Sequence, residues 1–300
     1  MSTVNPASVR AVAKKDFQDA VRSMLFWGLS FFFFLLIAVM AGAIAWYQPD
    51  DLTTHSFIAA ISEVTKLVVP LIALVLGWKS IAGERESGSI QVLLSLPHSR
   101  VDVVLGKLVG RAAVLSLSIV IGFALAAVFL PFAVADLAIG EYIGFTAMTV
   151  LYGLAYTSIA VSLSSLTRST TVAGAAMFGV FLTFYVIWNS IQILINELVT
   201  REYISGVEYS FDIDGETISG ERSPDWAYFI DNIDPGNAYQ NAITVVSSVP
   251  EDAIGTVLED VFFPDGVPFF LQDWFSFLIL LAWIVVPVLL AAYRFDRVDL

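Results

Sequence analysis

Residues able to do chemistry are few in this chain and lie far apart. Cysteine is absent and the only histidines are His55 and His98, which excludes disulfides, thiolate nucleophiles and Cys-ligated metals. No G-x-x-x-x-G-K-[ST] loop occurs, because Gly106-Lys107 lacks both the preceding glycine and the following Ser or Thr. H-E-x-x-H and G-x-S-x-G are also missing. The expectation is a protein that is not an enzyme, with no catalytic residue, no metal of its own and no bound cofactor.

Three sets of residues remain. Glu63 and Lys66 stand three apart in an apolar run, on one face of a helix. Ionisable groups inside a membrane are functional candidates, here as the polar lining of a translocation path. The alternative is an ion pair reaching the outer interface. Asp212, Asp214, Gly215 and Glu221 fall at the third, fifth, sixth and twelfth positions of a calcium loop, with Ser210 where the first aspartate belongs. The alternation of GVEYSFDIDGETISG around Asp214-Gly215 predicts a β-hairpin instead. The third set is GERESGSIQVLLSLPHSR, residues 83–100. Ser87 or Ser89 caps a short helix there and Pro97 ends it. Ile90, Leu93 and Leu94 form one apolar face, and Val92 with Leu96 part of another. A two-turn helix apolar on most sides needs cover, and a second protein is the economical source.

The elements that must position these groups are membrane helices. The 300-residue chain has mean hydropathy +0.78, 23 phenylalanines and 14% charged residues, against about 25% in soluble domains. Six apolar segments, about 24–46, 57–78, 112–133, 142–166, 172–195 and 274–293, meet the spanning length of roughly 17–25 residues. The first is too long for the apolar core of a signal peptide and has no small-residue cleavage site after it. The predicted class is an all-α membrane protein, one domain over 1–300, in contact with the lipid bilayer throughout.

Lys and Arg number twelve in the N-terminal arm, the 79–111 connection, the link after span four and the tail. The opposite side holds only Arg201 and Arg222. The positive-inside bias therefore predicts cytoplasmic termini. Residues 6–23 read as a basic amphipathic helix in the membrane interface, or else a cytoplasmic extension of span one. Segment 196–273 carries 16 acidic and 2 basic residues and is expected as a small extracytoplasmic cap. That acidity suits a halophilic surface hydrated in concentrated salt, or a cation-attracting vestibule. IDPGNAYQNAITVV within it predicts a turn and a helix starting near Asp234 or Gly236. GKLVG at 106–110 and the Ser158/Ser162 pair let helices approach closely, Pro70 and Pro287 are expected to kink their helices, and Ser99 should cap the helix leading into span three, with Asp102 in its first turn. Gly42 and Gly174 mark spans one and five as candidate dimer contacts.

The E-R-E-x-G-[ST]-x-x-x-L-L-x-x-P-x-x-R stretch followed by G-K resembles the signature of ABC-2 type permeases, the membrane subunits of ATP-binding-cassette exporters. Here it comprises Glu84, Arg85, Glu86, Gly88, Ser89, Leu93, Leu94, Pro97, Arg100, Gly106 and Lys107. VPLIALVLGWKSIAGERESGSI and DPGNAYQNA are most similar to permeases of the nitrous-oxide-reductase maturation system, linked to copper-site assembly. The resemblance implies a coupling helix at 79–111 that docks on a separate ATPase holding ATP and magnesium. Glu84 and Glu86 would orient against that ATPase, Leu93 and Leu94 would fill its groove, and Arg100 and Lys107 would anchor the loop at a lipid or partner surface. It also implies a homodimer or a paired second permease and an extracytoplasmic partner, and no nucleic acid. A scaffold that recruits a cytoplasmic protein without transport is the other reading of the same loop.

Overall fold

The structure is a computed structural model and describes residues 4–47, 53–90, 99–132, 134, 137–213, 216–246, 263 and 266–295. Helix α1 (Pro6–Val21) starts with Pro6 in its first turn and Asn5 as cap, the Asn5 side chain accepting from the Ala7 amide. Helix α2 (Met24–Tyr47) is the first long apolar helix. Helix α3 (Thr54–Gly77) opens with a reciprocal Thr53/Ser56 cap and runs unbroken through Pro70. A short α4 (Ala82–Glu86) follows. Helix α5 (Arg100–Ala127) opens with the expected Ser99 cap, closed into a capping box by Asp102. After α6 (Ile139–Leu166), the fifth apolar stretch is α7 (Thr170–Leu182), a π-helical turn (Thr183–Ile187) and α8 (Trp188–Thr200). Strands β1 (Val207–Ile213) and β2 (Glu216–Arg222), helices α9 (Asp225–Ile233) and α10 (Pro235–Ala242), and α11 (Asp273–Phe295) complete the order.

Six helical stretches are long and apolar enough to cross a membrane, so the chain is an all-α membrane protein. The third begins at Arg100, a dozen residues before the apolar run at 112, so the end of the 79–111 connection is helix. The expected close approach at GKLVG explains this. A side-chain carbon on Gly106 would lie 2.6 Å from Val12 Cβ, and one on Gly110 2.9 Å from Asp16 Cβ. Helix α1 therefore packs on the charged first turns of α5 and buries Ser8, Val12, Ala13 and Asp16. Arg10, Lys14 and Lys15 stay exposed, as an interfacial basic helix requires.

The core lies between α3, α5 and α6, where Phe57, Ile61, Ile119, Phe123, Phe145 and Tyr152 are fully enclosed. Helix α2 adds Phe33, whose ring sits 6.4 Å from that of Phe123. Ser158 draws α11 against α6 by donating to the Ile284 carbonyl at 2.6 Å. Gly174 packs on the Trp78 ring of its own chain, whereas Gly42 faces open space. We call the end carrying α1, α4 and the last turn of α11 the base, and the other end the crown.

At the crown, β1 and β2 pair antiparallel in the predicted hairpin, Ile213 opposite Glu216 and Val207 opposite Arg222. Asp212 and Glu221 thus belong to paired strands and not to a helix-flanked calcium loop; Asp214 lies outside the described residues. The rest of the acidic segment is less of a cap than expected. Helices α9 and α10 dip into the bundle, with Trp283 Nε1 donating to the Ile233 carbonyl at 2.9 Å. Tyr239 stacks at 4.4 Å on Tyr152, which stands near the middle of α6. Its hydroxyl lies 2.9 Å from both Thr65 and Thr149. Non-spanning backbone at such depth requires polar partners of this kind.

Candidate functional site

The E-R-E segment becomes α4, and each of its charges reaches a different helix end. Ser164 Oγ accepts from the Ile81 and Ala82 amides at 3.1 and 3.0 Å, satisfying donors that a helix start leaves open. Arg85 donates to the Ser165 and Thr167 carbonyls at 3.0 and 3.1 Å, closing the end of α6, and lies 5.6 Å from the Phe295 ring centroid of α11. Glu86 accepts from the Thr170 amide at 2.7 Å, a carboxylate at the positive end of α7. Gly88 adopts φ +75°, where a side chain is strained, and turns the chain away from α4.

Glu84 takes the remaining direction. Lys107 Nζ lies 2.6 Å from Glu84 Oε1 and 2.9 Å from Asp16 Oδ1, and Arg111 Nε lies 3.0 Å from Asp16 Oδ2. Two acids and two bases from α1, α4 and α5 thus neutralise one another. The Asp16 and Lys107 side chains are only 4% and 10% exposed, so removing either would unbalance a charge cluster held in a poor solvent. Asn5 N donates to Asp102 Oδ1 at 2.9 Å, a second tie between α1 and α5. Arg100 donates to the Phe295 carbonyl at 3.2 Å.

Lys107 is buried in an ion cluster with Asp16 and Glu84. Glu84, Glu86 and Arg100 have partners within the chain. Ile90 is 3% exposed and packs with Ile81, Val104, Val161, Val288 and Phe295, so the bundle itself covers it. Leu93, Leu94 and Pro97 lie outside the described residues. Asp16, the acid at the centre, went unremarked in the sequence. Its signal was there: it stands four after Val12 on the face that meets α5.

A second charged cluster sits where α10 meets α3. Glu63 and Lys66 are not paired with each other. Lys66 donates to Asn237 Oδ1 and Gln240 Oε1, both at 2.5 Å, and Gln240 in turn donates to Glu63. Asn237 donates to Asp231 Oδ1 at 2.8 Å and, through its backbone amide, to Asp234 Oδ2 at 2.8 Å, making Asp234 the N-cap of a helix whose start the sequence placed near Asp234 or Gly236. Asp234 Oδ1 is buried without a hydrogen-bond partner. It borders a cavity of about 10 Å³ lined also by Lys66, Tyr152 and Tyr156, room for one water. Burial pushes the Asp231 carboxyl up to about 6 and the Asp234 carboxyl up to about 7, with Lys66 opposing both shifts. At the rim, His55 Nδ1 lies 3.3 Å from Glu141, a contact the sequence did not suggest. No cluster of three or more metal-binding side chains occurs among the described residues.

Six spanning helices, a base knotted around an E-R-E turn and a helical pair dipping in from the crown define a membrane permease, and the family profile described as "ABC-2 family transporter protein" matches residues 10–300. The chain belongs to that family. Among curated proteins it is similar to the probable ABC transporter permease protein NosY of Pseudomonas aeruginosa, 29% identical over 191 residues, covering 60% of this chain and 68% of that protein. It is likewise similar to the protein of the same description from Stutzerimonas stutzeri, 29% identical over 188 residues, with 59% and 67% covered.

Proposed function

We propose that this chain is the membrane half of an ATP-driven exporter, with the base facing the cytoplasm and receiving a separate ATPase. The observation that carries the reading is the convergence at α4. A push on this five-residue helix is passed by Glu84 to α1 and α5, by Arg85 to α6 and by Glu86 to the start of α7. Arg100, on the same connection, holds the end of α11. Buried ion pairs and helix caps are stiff links, so a docking event at 79–111 becomes a movement of the bundle. The twelve Lys and Arg on the base side against two on the crown side support the cytoplasmic orientation.

In this reading ATP and magnesium belong to the partner ATPase, and this chain contributes no catalytic residue. Two permeases, identical or paired with a second kind, would meet along the fifth stretch, whose Phe178, Ile187, Ile193 and Leu194 are more than half exposed. The resemblance of VPLIALVLGWKSIAGERESGSI and DPGNAYQNA to permeases of the nitrous-oxide-reductase maturation system supports work on an extracytoplasmic maturation partner, with copper or sulfur species as first cargoes to assay. The acidic crown, Asp212, Asp214 and Glu221 included, would serve as a hydrated surface facing that partner.

The test is co-purification, in high salt, with the ATPase encoded beside this gene, comparing the native loop with Leu93→Asp/Leu94→Asp. Capture by the native chain, loss in the variant and ATP turnover that responds to the permease are expected. Capture without any effect on turnover would make the chain a scaffold. Equal capture by both would place docking away from 79–111.

A further inference from the structure

An apolar groove runs between α1 and the first half of α5. Val9, Ala13 and Phe17 on α1 face Leu105, Val109 and Ala113 on α5, and the space between them is about 520 Å³. Four-residue spacing on both helices makes each wall continuous. The volume falls within the roughly 300–1,000 Å³ of small-molecule sites. Among the described residues, Arg10 and Lys14, one turn apart, are the only charged ones at its edge. Both are exposed, and neither forms an ion pair among the described residues. The neighbouring cations Lys107 and Arg111, by contrast, are neutralised by Asp16 and Glu84.

The depth of the groove is informative. Along α5, charge ends at Arg111 and an uncharged, mostly apolar run begins at 112, so Leu105 to Ala113 straddles the boundary between headgroups and acyl chains. An apolar trough at that boundary, with two free cations at its lip, complements a molecule with an acyl tail and a negative head. A peptide would bring backbone groups that the trough has nothing to satisfy. A zwitterionic lipid would fill the trough and leave the two cations without a net negative partner.

We propose that this groove binds one anionic phospholipid, its acyl chain between α1 and α5 and its phosphate between Arg10 and Lys14. The site does not depend on the transport reading. Basic side chains at a membrane surface each contribute about 1 kcal/mol toward anionic lipid, so the pair corresponds to roughly 30-fold selectivity. Occupancy would hold α1 against α5 beside the Asp16–Lys107 pair, making the base sensitive to the lipid around it.

The experiment exposes the full-length detergent-solubilised protein to vesicles of phosphatidylcholine containing one-tenth phosphatidylglycerol and counts retained lipids by native mass spectrometry. The expected result is one phosphatidylglycerol per chain, retained about 30-fold over its share in the vesicles and not displaced by inorganic phosphate. Arg10→Gln/Lys14→Gln should bring that preference close to parity. Ala113→Trp, which fills the groove and keeps both cations, should remove the retained lipid. Lys15→Gln/Arg22→Gln, on the same helix but outside the groove, should change nothing. The proposal is overturned if the two double variants lose retention equally, which would mean diffuse surface charge. It is also overturned if Ala113→Trp retains lipid as the native chain does, or if inorganic phosphate displaces it. Unchanged melting temperatures separate each outcome from misfolding.

Discussion

The base and the crown both bury charge in an apolar bundle, but they solve the problem differently. At the base, Asp16 and Glu84 face Lys107 and Arg111, and the four charges cancel. At the crown, Lys66 is the lone cation among Glu63, Asp231 and Asp234, and amide side chains on α10 mediate between them. The Asp231 and Asp234 carboxyls there are pushed up chiefly by burial, with Lys66 opposing the shift. A neutral cluster of direct pairs is rigid. An amide-bridged cluster with surplus acid adjusts with pH. The first suits transmission of force, the second a contact that must loosen and re-form.

The largest effect expected from breaking this contrast is at Asp16. Asp16→Ala leaves Arg111 without its acid and Lys107 with Glu84 alone and should cost about 3 kcal/mol, seen as a large fall in the melting temperature of the solubilised protein. An unchanged melting temperature would mean that the base is not held by charge. Next is Gly106→Val, which drives methyl groups into Val12 and should cost about 1–3 kcal/mol; protease access to the link between α1 and α2 would report the loosening. At the crown, Lys66→Met should cost less, about 1–2 kcal/mol, because Asn237 and Gln240 keep other partners and the acids can protonate. A loss as large as that of Asp16→Ala would erase the distinction between the two ends.

The pH dependence sharpens it further. Asp234 titrates near 7 when folded and near about 3.9 when unfolded. The folded protein therefore holds the extra proton between those values, and the stability this group contributes falls as pH rises from about 4 to 7. Asp234→Asn keeps the cap and removes the titration. It should raise the melting temperature by about 2–4 °C at pH 8, with the gain shrinking toward pH 5. A gain that grows on acidification would contradict the burial argument. The smallest effect is reserved for Arg201→Ala, whose partner Glu197 lies 2.6 Å away with both side chains more than half exposed. That pair should be worth at most about 0.5 kcal/mol.

Much of this was legible in the chain. Six apolar runs became six helices because no other element satisfies its own backbone in lipid, and the hairpin and the Ser99 cap followed from local side-chain chemistry. The partners of Glu84, Arg85, Glu86 and Lys107 within the chain were not legible, because each looks outward when read along the chain. For Lys107, Arg85 and Glu86 those partners, Asp16, the α6 carbonyl of Ser165 and the Thr170 amide, lie 80 to 91 residues away, and Glu84 meets Lys107 across 23 residues. Glu63 and Lys66 looked like a pair for the same reason: spacing on a helix shows who shares a face, not who arrives from elsewhere to stand between them.

The sequence by itself therefore determined the class, the number of spans, their caps and the side on which positive charge gathers, since these depend on hydropathy and on neighbours within one turn. Only the tertiary structure decided that α1 lies on α5, that α4 gathers the base into one knot, and that α9 and α10 dip into the bundle. Those choices rest on which polar groups can be satisfied once water is removed, and a desolvated charge can find its partner at any distance along the chain.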